Sequence, residues 1–394
     1  MFAVLSPARK ALSRLMILFS LVWLAACQPV SLSGPAGGGS AINPSKPVAV
    51  ALLVPHGATS PQEQTLARDL EAAARLAAAD LQGVQIDLRV YGTAGNPAQA
   101  QTAARNAVAD GARIIVGPLH AESANAAAVA VADKGVNVLA FSNNPTIAGG
   151  NLFILGQTFN TTASRLAGFA SRQGKKRILA VYSDNLAGQL GRNAIEQAVN
   201  ASGSQFAGSV GYEFSQQGVA SAVPKIRAAA AQSNADAIFM TSNTAGALPL
   251  FSQMLPEAGL SPANTQYIGL SRWDVPAQTT SLPGVQGGWF AIPDPQRSAA
   301  FKSRFQAANG HTPHVISGLA YDGIAAIGAL AKSGSRDALS RARLTQSAGF
   351  QGVGGVFRFR ADGTNERGLA VATIRDQQVV VLDPAPRGFG GAGF

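Results

Sequence analysis

Four histidines and one cysteine hold most of the special chemistry this chain offers. His56 and His120 each follow directly on an apolar run, His56 after Pro55 and His120 after Gly117-Pro118-Leu119. An imidazole at such a place can carry a proton or hold a polar ligand. His311 and His314 stand three apart, a spacing that a helical metal site can use, but Pro313 lies between them and no third ligand is evident. They read as a loop entering a helix, and no metal is expected. The sequence has no G-x-S-x-G, no Walker A loop and no strand-linked G-x-G-x-x-G. Neither a nucleophilic serine nor a phosphate or dinucleotide cofactor is signalled. No catalytic residue and no cofactor is therefore expected.

The remaining polar candidates are hydroxyls, amides and one carboxylate that follow apolar runs: Ser142 and Asn143, Asp184, Thr241, and Ser271. Trp273, between Arg272 and Asp274, is placed to cap a ligand by stacking. Residues of this kind donate and accept hydrogen bonds but do not break bonds. They suit a carboxylate or hydroxyl ligand.

The elements that position them alternate regularly. Val48–Val54 is a continuous apolar run, the mark of a strand buried on both faces. A helix follows over about 62–81, with Leu66, Leu70, Ala73, Ala77 and Leu81 on one stripe and Glu63, Arg68, Glu71 and Arg75 elsewhere. Strands are predicted at 84–91, 113–117 and 137–141, with helices from Pro97 and over 121–134. After a bridge the pattern restarts. Strands are predicted at 177–183, 206–214, 236–242, 266–270 and 288–292, with helices at 188–201, 219–232 and 246–258. Helices near 297–309 and 315–331 and antiparallel-looking strands at 356–360, 368–375 and 379–382 close the chain. The fold class is α/β, with two doubly wound parallel-sheet lobes. In such sheets ligands lie outside the carboxyl ends of the strands, where every candidate above falls.

Apolar residues make up 47% of the 394 and charged residues 13%, which excludes a chain disordered throughout. Beyond the N-terminus no apolar run reaches the roughly 18 residues of a spanning helix. Arg9, Lys10 and Arg14 precede an apolar stretch, Leu15–Leu24, and then Leu24-Ala25-Ala26-Cys27. Residues 1–26 have the make-up of a signal peptide. The last four residues resemble the bacterial lipobox, which implies that Cys27 becomes the lipidated first residue and the only membrane attachment. Cleavage there removes three of the 31 basic residues and leaves 28 against 21 acidic ones, a net +7. There is no basic stripe with interleaved aromatics, so a nucleic-acid role has no support. Residues 27–47 are the lipidated cysteine and a tether: Gln28–Pro47 carries four Gly, four Pro and four Ser. The Gly/Pro-rich end, 384–394, is expected to be a flexible tail.

The run Gly111-Ala112-Arg113-Ile114-Ile115-Val116-Gly117-Pro118-Leu119 and the run Val138-Leu139-Ala140-Phe141-Ser142-Asn143-Asn144-Pro145, on two βα lobes behind a lipobox, resemble type I periplasmic binding proteins of the leucine-binding kind. The likeness covers about residues 46–383. It implies two lobes joined by hinge crossovers, with 48–157 and 293–350 in lobe 1 and 158–292 and 351–383 in lobe 2. It also implies closure of the lobes on a ligand.

A narrower resemblance is to penicillin-binding protein activator lipoproteins of the LpoA type. It implies a non-enzymatic activator of a peptidoglycan synthase, anchored on the periplasmic side of the outer membrane, the sorting that Gln28 after the cysteine resembles. The alternative is a solute-binding lipoprotein of an ABC transporter for branched-chain or other amino acids. Amino-acid binders of the family carry a carboxylate-holding serine just after the Gly-Pro-Leu stretch. Here those places are His120 and Ala121, and the next serine is Ser123. That departure favours the activator; Ser142 remains for the other carboxylate contact.

Overall fold

The protein is described by a computed structural model for residues 40–390. The signal segment, Cys27 and most of the expected tether lie outside these residues.

The strand Val48–Val54 (β1) is buried along its length except for half-buried Ala49. It is the second strand of a five-stranded parallel sheet, in the order β2-β1-β3-β4-β5, with β2 at Ile86–Gly92, β3 at Ile114–Val116, β4 at Asn137–Ala140 and β5 at Leu152–Ile154. Val50 pairs with Ile114, Ile114 with Asn137, and Val138 with Leu152, so the carboxyl ends of the strands emerge on one edge. Helix α1, Pro61–Asp80, begins where Ser60 Oγ accepts from Glu63 N and Pro61 occupies the first turn, a position where a missing N–H costs nothing. Its Leu66, Leu70, Ala73 and Ala77 are buried in the first core, as the stripe predicts. Helices α2, Pro97–Ala109, and α3, Ala121–Val131, cover the other face through Ala103, Ala104, Ala107, Ala124, Ala127 and Ala128.

The second lobe repeats the design. Helix α4, Phe159–Arg172, leads into β6, Arg177–Ser183; then come α5, Leu186–Ala201, β7, Gln205–Tyr212, α6, Gln216–Ser233, β8, Ala237–Met240, α7, Leu248–Glu257, β9, Gln266–Gly269, and β10, Trp289–Ile292. The chain then returns to the first lobe with α8, Pro295–Asn309, α9, Gly318–Ala331, the short α10, Arg341–Leu344, and an antiparallel sheet of β11, Phe350–Gly352, β12, Gly355–Phe359, and β13, Asn365–Arg367. It ends with β14, Ala370–Arg375, and β15, Gln378–Asp383, which complete a seven-stranded sheet in the order β15-β14-β10-β9-β8-β6-β7.

The three passages between the lobes are stitched together. Arg367 donates to Leu155 O through Nε at 3.0 Å and Nη2 at 2.7 Å, and Asn365 Nδ2 donates to Ile154 O and Gly156 O at 2.7 Å each. These bonds tie the third passage to the first. The second is tied in by Asp294 N, which donates to Gly354 O at 2.8 Å.

Three stretches differ from the sequence expectation. The stretch 351–367, expected in lobe 2, lies with lobe 1: Phe350, Phe357 and Phe359 belong to the first core, and the chain joins the second sheet only at Ala370. The cause is the alternation of these rings, which presents three aromatic faces on one side. The expected tether ends early. Ile42 is buried in the first core, and its N–H donates to Arg336 O at 2.9 Å. At the other end, residues expected to be a free tail make packed contacts, with Ala385 against the second core.

Candidate functional site

The strands β1, β3 and β4 are neighbours, so the loops after them form a continuous edge of lobe 1. The loops after β3 and β4 are joined directly: Phe141 N donates to Pro118 O at 2.9 Å. Ser142 is buried there, and its Oγ accepts from Asn144 N at 3.1 Å, while Asn143 beside it is exposed. His120 is the N-cap residue of α3 but makes no side-chain cap bond. The first-turn N–H groups of α3 thus lack a side-chain acceptor, and they carry the positive end of the helix dipole. One turn in, the Ser123 hydroxyl is buried without a partner.

The two histidines are turned to α1. His56 Nε2 lies 2.9 Å from Glu71 Oε2, and His120 Nε2 lies 3.1 Å from Glu63 Oε1. Burial raises the Glu71 carboxyl, but hydrogen bonds from His56 and Arg75 outweigh it and leave the group below the ordinary carboxylate range. The sequence sets Glu63 and Glu71 off the apolar stripe of this helix and does not pair them with the histidines. The structure gives each histidine one of them.

In lobe 2, β9, β8 and β6 are adjacent, and their ends carry Ser271, Thr241 and Asp184 in that order. Asp184 is exposed, and its N–H donates to Tyr212 O at 2.8 Å. The Thr241 hydroxyl and that of Ser242 are both buried without a partner. Ser271 Oγ donates to Ser242 O at 2.9 Å, which joins the loops after β8 and β9. Ser242 was not singled out from the sequence. The one signal available was its position at the end of the strand predicted at 236–242, beside Thr241, which was.

Trp273 does not cap a ligand. It is fully buried in the second core, with its indole against Gly269 and Gly288 and 6.2 Å from the Phe290 ring in a stacked arrangement. Gly269 and Gly288 leave no Cβ where the ring lies, which lets the loop fold inward. His311 and His314 also have another use. His311 Nε2 lies 2.8 Å from Asp69 Oδ1, and His314 N donates to Asp69 Oδ2 at 2.7 Å, so this loop is pinned to α1. Among the described residues no group of three His, Cys, Asp or Glu is placed to hold a metal. Among them, too, no helix is long and apolar enough to cross a membrane.

The candidate site is thus two sets of strand-end loops, one on each lobe, that supply N–H groups, hydroxyls and a carboxylate. Such groups bind and orient a polar ligand. The comparisons with known proteins agree with that chemistry. A family model described as periplasmic binding protein matches residues 47–378. No curated protein matches by sequence.

Among solved structures, a protein from Rhodospirillum rubrum assigned to branched-chain amino acid ABC transport has a TM-score of 0.73 at 16% identity, over 86% of this chain and 100% of that one. A branched-chain amino acid ABC transporter periplasmic ligand-binding protein from Burkholderia xenovorans has a TM-score of 0.67 at 21% identity, over 86% and 96%. An ABC transporter substrate-binding protein from Desulfitobacterium hafniense in complex with Leu has a TM-score of 0.62 at 18% identity, over 86% and 100%. At these identities the likeness shows the fold, and none of the three is described as a penicillin-binding protein activator. The two lobes, the strand-end loops and the match over most of the chain lead to one statement: this chain belongs to the periplasmic binding protein family.

Proposed function

We propose that the chain is the solute-binding component of an ABC importer and takes a small carboxylate ligand, with branched-chain amino acids the first candidates. The observation that carries this is the α3 N-terminus beside Ser142. It presents uncapped N–H groups and a hydroxyl next to one another, which is the donor set a carboxylate needs. Ala121 in place of a serine removes one hydroxyl, but the backbone N–H groups remain. On the opposing lobe, the unpartnered hydroxyls of Thr241 and Ser242 and the exposed carboxylate of Asp184 suit an ammonium group. The fold of the relatives adds support, since their own descriptions name amino acid transport and a leucine complex. The protein works in the periplasm in this reading. Lipidation at Cys27 would hold it to a membrane, and the partner is an importer rather than a peptidoglycan synthase.

The test is thermal unfolding with each of leucine, isoleucine and valine, followed by calorimetry. A ligand at a hundred times its Kd stabilises the folded form by about 2.7 kcal/mol, a clear rise in melting temperature. No rise and no heat with any amino acid, together with stimulation of a purified bifunctional penicillin-binding protein, would overturn the proposal in favour of the activator.

A further inference from the structure

A second cavity lies beside the passages between the lobes. Its volume is about 420 Å³, within the range of small-molecule sites. The opening of α4 and one side of α5 form two of its walls, and the hairpin of β12 and β13, which lies with lobe 1, forms the third. None of the candidate residues at the strand ends lines it.

Asn365 sits in that third wall and is 4% exposed. Its Nδ2 donates to Ile154 O and Gly156 O at 2.7 Å each, while its Oδ1 is buried and accepts nothing. A buried acceptor without a donor is costly, so the position calls for a group that brings an O–H or N–H.

The charges around it are already matched. Arg165 is paired with Asp383 at 2.9 Å and Arg367 with Asp322 at 2.8 Å. Glu366 Oε2 lies 2.7 Å from Arg358 and 3.3 Å from Arg360. An ionic ligand would find its counter-charges engaged, so the cavity favours a neutral one. The α5 wall is amphipathic. Ala194 and Ala198 are buried and offer only carbon, and Gln197 between them accepts from Asn160 of α4 at 3.1 Å. An apolar strip set beside amides receives the C–H face of a sugar ring while its hydroxyls reach the polar groups.

We propose that this cavity is a second binding site, for a neutral polyhydroxylated molecule the size of a mono- or disaccharide. The ligand donates a hydroxyl to Asn365 Oδ1, lays its carbons on the alanines of α5 and bonds the amides of Asn160 and Gln197. Because the walls come from both lobes, a bound molecule favours the lobe arrangement that keeps them together. The site stands apart from the carboxylate site proposed above and does not rest on it.

The test titrates the full chain carrying Cys27→Ser with glucose, galactose, maltose and sorbitol in turn, by calorimetry and saturation-transfer NMR. At least one is expected to bind in the millimolar range or tighter. Ser164→Trp, at an exposed position of the α4 wall, sets an indole in the cavity and should weaken binding at least about ten-fold with the melting temperature unchanged. Gln197→Ala, also exposed, should weaken it by several-fold. Asp184→Ala, at the strand-end site, should leave it as in wild type. The proposal is overturned if none of the four binds, if binding survives both Ser164→Trp and Gln197→Ala, or if Asp184→Ala abolishes it, which would place the sugar at the strand ends.

Discussion

Arg367 Nη1 lies 2.8 Å from Asp322 Oδ2, and both side chains are buried inside the first lobe. The Asp322 carboxyl also accepts from Val353 N at 2.8 Å. Burial raises its pKa above the ordinary carboxylate range in spite of the arginine beside it. The same guanidinium holds Leu155 O, so one ion pair ties α9 to the first and third passages of the hinge.

Removing one partner leaves the other charge buried alone. Arg367→Met should therefore cost about 3–5 kcal/mol of stability in urea unfolding, and pairing it with Asp322→Leu should recover much of that loss. A single variant within about 1 kcal/mol of wild type would show that the pair is dispensable.

The bond between His311 and Asp69 makes a pH prediction. The hydrogen bond to Asp69 is the largest cause raising the His311 pKa, with Asn309 O adding to it and burial and Arg68 opposing. A raised folded-state pKa contributes stability that is fully present below the ordinary value of 6.5 and lost as pH rises through the raised one. The melting temperature of His311→Asn should thus fall furthest below wild type in acid, and the two should converge in alkaline buffer. A gap that stays constant with pH would remove the charge from the account.

Leu70 has no exposed surface and lies in the first core beneath the sheet. Leu70→Asp buries a carboxylate with no partner, and a loss of about 3 kcal/mol or more is expected by thermal or urea unfolding. A melting temperature near that of wild type would mean that α1 is turned differently from the arrangement described.

Thr241 separates stability from binding. Its hydroxyl is buried without a partner, so Thr241→Val keeps the shape and removes an unsatisfied group. The free protein should gain up to about 1 kcal/mol. If the hydroxyl waits for a ligand, affinity should fall about ten-fold in the same variant. Ser142→Ala should weaken carboxylate binding by a similar factor, read by calorimetry. Unchanged affinity in both would move the ligand away from these strand ends.

Much of the architecture was legible because buried parallel strands have to be continuous apolar runs. β1 and β6 were predicted with the bounds the structure shows, 48–54 and 177–183. β5, Leu152–Ile154, was missed. α4 was taken as a bridge because it opens on the polar residues Asn160, Thr161 and Thr162, two of which are buried by contact with the hinge. Tertiary packing, not local pattern, placed β11–β13 in lobe 1.

The candidate site was legible as a set of loops but not as a set of contacts. His56 and His120 stand where expected in the chain, yet which neighbour an imidazole meets depends on the rotation of α1. Trp273 could not be told apart from a ligand-capping ring, since the two glycines that receive it lie four and fifteen positions away.

Those two glycines bind three distant positions into one unit of inheritance. A Cβ at Gly269 or Gly288 would collide with the Trp273 indole. In an alignment of relatives, the three columns should vary together: wherever the tryptophan is replaced by a smaller residue, the glycines are released to become alanine or serine, and nowhere else.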